Sequence, residues 1–203
     1  SVTLDKALIH FKRTTKEWNY TFLADYIDNL SSGKSTKQSP LRLGDVTIHH
    51  LHFESIDQWK GEDMITDVAG AEIKFNKTDF EHNFISISKL KLERPSFSIV
   101  NYPGTRTSAE EKMAQMDTSG FENKMECRIA GLDIINGTFS SKRLPNDTTG
   151  NAPFDENDIL FTSINGQLAN FILKGNELNT QIKLAAKEKS GFEVKSLVAN
   201  MKF

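Results

Sequence analysis

The stretch "DVTIHHLHF", residues 45–53, carries two phases of one pattern. Val46 and Ile48 alternate with polar neighbours. Leu51 and Phe53 alternate too, but one residue out of step. Alternation at period two marks a strand with one apolar face and one wet face. A single-residue slip inside such a strand is what a β-bulge produces.

The same reading extends along the chain. "KALIHFKR" sets Ala7, Ile9 and Phe11 on one face, and "VAGAEIKF" does so for Ala71, Ile73 and Phe75. "FISISKLKLE" pairs Ile85 with Ile87 and then Leu90 with Leu92. "PSFSIV" carries Phe97 and Ile99. "GLDIINGTF", "ILFTSINGQL", "ANFILKG" and "TQIKLAA" continue the style. One-sided strands of this kind favour antiparallel sheets. Two stretches break the pattern. Residues 19–34 place Phe22, Leu23, Tyr26, Ile27 and Leu30 at helical spacing, with Gly33 as a stop. Residues 108–120 begin with Ser108 and Glu111 in capping-box spacing and end at Gly120. Polar loops are expected at about 31–40 and 141–156.

The 203 residues suffice for one large β domain or two small ones. Hydrophobic residues make up only 37%, but 14 Phe argue against wholesale disorder. With a net charge of −2, the composition does not imply a basic face large enough for nucleic acid. Cys127 is the single cysteine, so it makes no internal disulfide and no metal cluster alone. No run of 18 apolar residues is present, so no membrane-spanning helix is expected. The chain opens and closes in strand pattern ("SVTLDKALIHF", "FEVKSLVANMKF"), as expected of a segment of something longer.

A repeat organises these strands. "LDKALIHF" (4–11), "LERPSFSI" (92–99) and "KEKSGFEV" (187–194) each read acidic, basic, two variable residues, apolar, any, apolar. The pairs are Asp5-Lys6, Glu93-Arg94 and Glu188-Lys189. "RLGDVTIHHLHF" (42–53) matches "RIAGLDIINGTF" (128–139), and "DVAGAEIKF" (67–75) matches "SINGQLANF" (163–171). The expected organisation is one continuous β-rich segment: a first unit over 1–88, a second over 89–184, and the start of a third over 185–203. Each unit leans on its neighbours.

"WNYTFLADYI" after a strand, the "LERPSFSI" strand and "KEKSGFEVKSL" resemble the AsmA-like and TamB-like envelope proteins, in the form seen in Bacteroidetes. The second unit departs from this pattern, reading "VNYPGTRTSAEE" where the Trp-Asn pair would fall. The resemblance implies a mainly β fold: an elongated, strongly twisted antiparallel sheet forming a taco-like groove of repeating units, with the two short helices. It implies a periplasmic segment whose parent chain is anchored in the inner membrane. Its partners would be a phospholipid or another acyl-chain lipid and outer-membrane assembly proteins, for phospholipid transport or outer-membrane assembly. The choice between AsmA-like and TamB-like stays open. Independently of the name, a sheet with one apolar face must bury it against helices, another sheet or lipid chains. The residues expected to line the groove are Ile9, Phe11, Phe75, Phe97, Ile99, Phe171, Leu173, Phe192 and Val194.

Chemical motifs fail on context. "SGKST" (32–36) has Asp28 where a phosphate-binding loop needs glycine, and the helix comes first. In "HHLH", His50 and His52 share a strand face but lack a third converging ligand for zinc. "SISK" (86–89) has nucleophile spacing in a strand, where the pair does not meet. "DENDIL" (155–160) departs from calcium-loop spacing at Ile159. The reading is therefore non-enzymatic, with no cofactor and no metal. The alternative is an extracellular β-sandwich binding or adhesion module, with Trp18, Trp59 and Tyr102 as scattered stacking residues.

Overall fold

The computed structural model describes residues 1–21, 44–79, 82–108, 110, 126–145, 154–175 and 177–202. Both expected helices fall largely on residues 22–43 and 111–125, outside the described residues. The chain is mainly β. Its strands are β1 (Val2–Arg13), β2 (Val46–Asp57), β3 (Glu62–Asp79), β4 (Phe84–Glu93), β5 (Ser96–Asn101), β6 (Glu126–Arg143), β7 (Asp158–Lys174), β8 (Glu177–Glu188) and β9 (Glu193–Lys202). All nine join one sheet, in the order β1-β2-β3-β4-β6-β7-β8-β9, with β5 also between β3 and β6. The two ends of this path, β1 and β9, share no ladder.

β4 and β5 are two halves of one long strand. Gly70 of β3 pairs Glu93 and Asp67 pairs Ser96, so the register on β3 is unchanged across the break. β6 pairs both halves in constant register too, Glu93 with Ile135 and Ser96 with Thr138. Between the halves, Arg94 takes a φ of 46° and Pro95 offers no N–H. The ladder still closes, because the Arg94 amide donates to Ile135 and Thr138 donates to the Pro95 carbonyl.

The expectation of an antiparallel sheet needs correction. β1 lies parallel to β2, and β4 and β5 lie parallel to β6. Parallel neighbours require a connection long enough to bring the chain back to the same end. Residues 14–45 and 102–125 provide it, whereas β2–β3, β3–β4, β7–β8 and β8–β9 are joined by short turns and run antiparallel. The stretches matched in sequence occupy like places: β1 beside β2, and β4–β5 beside β6, are the parallel pairs. "KEKSGFEV" behaves differently from its two counterparts. Glu188 ends β8, Gly191 turns at a φ of 97°, and β9 folds back from Glu193.

A line of backbone kinks crosses the sheet. Lys6, His50, Arg94, Asn136 and Ser163 all have φ between 46° and 61°. His50 is where the slip in "DVTIHHLHF" falls. Lys6 stands opposite His50, and Arg94 opposite Asn136, between flanking pairs of unbroken register. We refer to this line as the crease.

At the far end of β2 the chain turns through residues 58–61. Gly61 has a φ of 84°, and a Cβ there would sit 1.9 Å from the Tyr102 carbonyl oxygen. The approach is held by the Tyr102 amide donating to Gly61 and by the Tyr102 hydroxyl donating to Asp63 at 2.6 Å. Gly61→Ala is expected to lose about 2–4 kcal/mol of stability, since backbone strain and a backbone clash coincide. Gly131→Ala, with nothing within 4 Å of the added methyl, should stay within about 0.5 kcal/mol. Urea unfolding of both variants checks this.

Candidate functional site

Residues paired directly across a ladder share a face. Following the register through β1-β2-β3-β4-β6-β7-β8-β9 gives one row of Val2, Val46, Ile73, Leu90, Leu132, Leu168, Ile182 and Ala199. It contains no polar side chain. The next row, nearer the crease, is Leu4, Ile48, Ala71, Leu92, Ile134, Gly166, Leu184 and Leu197. It is unbroken as well. Beyond the crease, Ile9, Phe53, Thr66, Phe97, Phe139 and Phe161 form a third row, with one threonine.

The rows on both sides of the crease face the same way. A Cβ on Gly137 would meet Ile134 from one side of the crease at 3.1 Å, and Pro95 and Ile164 from the other at 3.3 and 3.4 Å. The rings interact along and across the rows. Phe11 meets Phe53 edge-on at 5.6 Å between centroids, and Phe97 stacks on Phe139 at 6.0 Å. Tyr20 tilts against Phe11 at 4.6 Å.

The face is open. Among the described residues, strands approach closely only where they are hydrogen-bonded neighbours. Val2, Leu4, Ile9 and Leu197, all in these rows, are 41–50% exposed. Among the described residues, Val68, Ala71, Ile129 and Ala186 are the buried apolar residues, and no large side chain is fully buried. Eight strands at about 4.8 Å spacing give rows about 34 Å long, and successive rows lie about 7 Å apart. The apolar face is therefore on the order of 1,000 Å² in extent.

The sequence candidates fall on this face with one exception. Ile9 and Phe97 share the third row. Phe11 and Ile99 share the next, through Ser55 and Met64. Phe75 and Phe171 are joined through Ile87 and Ile129, and Leu173 lies beside Cys127 and Ile85. Val194 stands opposite Ala186. Phe192 does not join a row; it sits in the β8–β9 turn, 59% exposed. Sequence reasoning misses the middle of the rows, Leu90, Leu132, Leu168 and Ile182 above all. Their alternation is visible in the residues, but only the register shows that they align.

The opposite face is mostly polar, with Leu8, Ile135 and Val198 exposed on it. Glu72, Lys91, Asp133, Gln167 and Lys183 form one transverse row. Its charges are met locally: Lys91 lies 2.6 Å from Glu93 and 3.8 Å from Glu72, and Gln167 donates to Asp133 at 3.3 Å. Nearer the crease, the His52 ring sits between Asp67 at 2.6 Å and Glu54 at 2.9 Å, and His10 lies 3.2 Å from Glu54. The Asp67 bond, then the Glu54 bond, raise the His52 pKa above its ordinary value. "SISK" lies in β4, where the Ser88 hydroxyl donates to the Lys74 carbonyl.

Trp18 and Trp59, scattered in sequence, meet in space. The Arg13 guanidinium lies 4.7 Å from the Trp18 ring and 4.8 Å from the Trp59 ring. Its Nε and Nη2 donate to the two oxygens of Asp57, which is 5% exposed. Asp57 also accepts from the Lys60 amide. The cluster ties the end of β1 to the β2–β3 turn.

A scan of known protein-family models gave no match, and a search of curated proteins gave none.

Asp57→Ala leaves the Arg13 charge unpaired against two indoles and is expected to cost about 3 kcal/mol, with a shift in tryptophan emission. Glu188 is 4% exposed and accepts from Ser190, Leu160 and Lys189. These bonds, those of Ser190 foremost, hold its carboxyl below the ordinary value. The stabilisation is full above the unfolded value of about 4.3 and is lost as pH falls through the lowered one. Glu188→Gln should thus destabilise at pH 7, and thermal melts of parent and variant should converge below about pH 4.

Proposed function

We propose that the chain is a non-enzymatic segment of an AsmA-like or TamB-like envelope protein, and that its sheet shields lipid acyl chains. In this reading the sheet is a hydrophobic groove in the periplasm, the parent chain is anchored in the inner membrane, and the task is phospholipid transport or outer-membrane assembly. The observation that carries it is the pair of unbroken apolar rows crossing eight strands, uncovered by any other described element. A bilayer hydrocarbon core is about 30 Å thick, so one acyl chain spans about half of that. Rows about 34 Å long accommodate a chain of that length along or across the strands. Apolar contact is non-directional and rewards area at roughly 25 cal/mol per Å². A face without polar anchors therefore suits a ligand that is itself featureless.

The sequence resemblance in "WNYTFLADYI" and "KEKSGFEVKSL" supports the same assignment. The sandwich alternative requires two sheets packed face to face; the described strands lie in one. No helix among the described residues is long and apolar enough to cross a membrane. Any anchor in this reading belongs to other parts of the parent chain.

The chain purified from bacteria is expected to carry phospholipid on extraction and mass spectrometry. Leu132→Gln with Leu168→Gln places two amides in the middle of the apolar row. This variant should keep its β circular dichroism and retain roughly tenfold less lipid, because two apolar side chains leave the row. A folded parent that carries no lipid and takes none from micelles would sink the proposal.

A further inference from the structure

A concavity of about 400 Å³ opens at the crease; Lys6, His50, His52, Asp67 and Arg94 line it together with apolar side chains, Leu8 and Leu51 among them. Its backbone is unusual. Among the described residues, seven non-glycine positions have positive φ. Asn83, Asn136, Asn170 and Ser163 are four of them, and asparagine tolerates this region best of the L residues. The other three are Lys6, His50 and Arg94. All three carry basic side chains, and all three line this one concavity. Glycine would take the same backbone without strain. Strained backbone that persists with a particular side chain points to a role for that side chain.

The register brings them together. Lys6 stands opposite His50, between the pairs Asp5–His49 and Ala7–Leu51. His50 and Arg94 both flank Ala69 of β3, between its neighbours Gly70 and Val68. Ala69 contributes only a methyl, which leaves the floor open. The nearby carboxylates are paired in place, two of them with the site's own histidines, and Glu93 also lies within the field of Arg94. Asp67 holds His52 at 2.6 Å, Glu93 holds Lys91 at 2.6 Å, and Asp5 reaches His50 at 3.9 Å. Lys6 and Arg94 make no ion pair among the described residues. They are also the basic members of the repeated pairs Asp5-Lys6 and Glu93-Arg94.

We infer that this concavity binds a phosphate oxyanion, held between the Lys6 ammonium and the Arg94 guanidinium with His50 and His52 at its side. Ammonium and guanidinium donors to phosphate make short, charge-assisted hydrogen bonds, and the guanidinium offers two parallel ones. Free phosphate and a phospholipid headgroup share this chemistry. The site rests on two cations and the acyl-chain reading on Leu132, Leu168 and their rows, so the variants of one leave the residues of the other in place.

Calorimetric titration of the chain with inorganic phosphate, and cosedimentation with phosphatidylcholine vesicles with and without phosphatidic acid, test it. Two double variants accompany the parent. Lys6→Gly with Arg94→Gly removes both cations and the strain; Lys6→Gln with Arg94→Gln removes the cations alone. The parent is expected to bind phosphate saturably, with affinity falling roughly tenfold for each cation removed. The glycine variant should melt at or above the parent temperature. Cosedimentation that requires phosphatidic acid and is abolished in both variants assigns a lipid headgroup. Phosphate binding without cosedimentation assigns free phosphate. A parent that binds neither, or double variants that keep the parental affinity, would overturn the inference.

Discussion

Every part of this sheet depends on holding one side-chain phase through a change of register. A strand alternates strictly, so a one-residue slip sends all later side chains to the other face. In this chain the slip is present in the residue pattern itself: Ile48 and Leu51, Leu92 and Pro95, Ile134 and Gly137 are each three apart yet face the same way. The left-handed turns at His50, Arg94 and Asn136 absorb the extra residue. A slip in one strand is tolerable only if its neighbours slip at the same level. That requirement aligns the kinks into a crease, and the crease keeps the apolar rows on one side.

The same requirement explains what the residue pattern can and cannot disclose. The slip in "DVTIHHLHF" is visible because phase is a local property. The repeat is visible in part for the same reason, since Lys6 and Arg94 recur at the same step in two strands. Strand direction is not visible. It depends on whether the connection returns the chain to its starting end, and residues 14–45 and 102–125 do so without a signature in the strands. "KEKSGFEV" shares its residue types with two kinked strands but closes a hairpin, because Ser190-Gly191 supplies a full turn where Arg94-Pro95 supplies a kink. Arg13, Trp18, Asp57 and Trp59 carry no signal one by one. Their assembly needs β1 beside β2 in parallel, so that both strands end at the same level.

The two faces carry different kinds of interaction, and the crease serves both. On the apolar side it holds the rows in line. Lys6, His50 and Arg94 are the basic residues among its kinks, beside a field where charge is largely neutralised in place. Lys91, Glu93, Asp133 and Gln167 answer one another within the sheet. Exposed pairs of that kind contribute little stability, so their worth lies in keeping this face wet and the sheet's orientation unambiguous.

A single layer with one greasy side is an incomplete solution to folding. Stable domains commonly bury the apolar side of a sheet under a second layer. The described residues bury four small or medium apolar side chains and leave Leu4, Ile9 and Leu197 more than 40% exposed. The ladders and the Arg13–Asp57 cluster fix the geometry, yet the largest favourable term, apolar area removed from water, is only partly collected within the sheet. Whatever covers the face therefore contributes to the folding free energy as much as to binding. By mass action, a ligand that meets the rows only when they are aligned stabilises the aligned sheet in proportion to its occupancy. Cover and fold are one equilibrium for the described strands, and under the lipid-shielding proposal an acyl chain on those rows supplies their second layer.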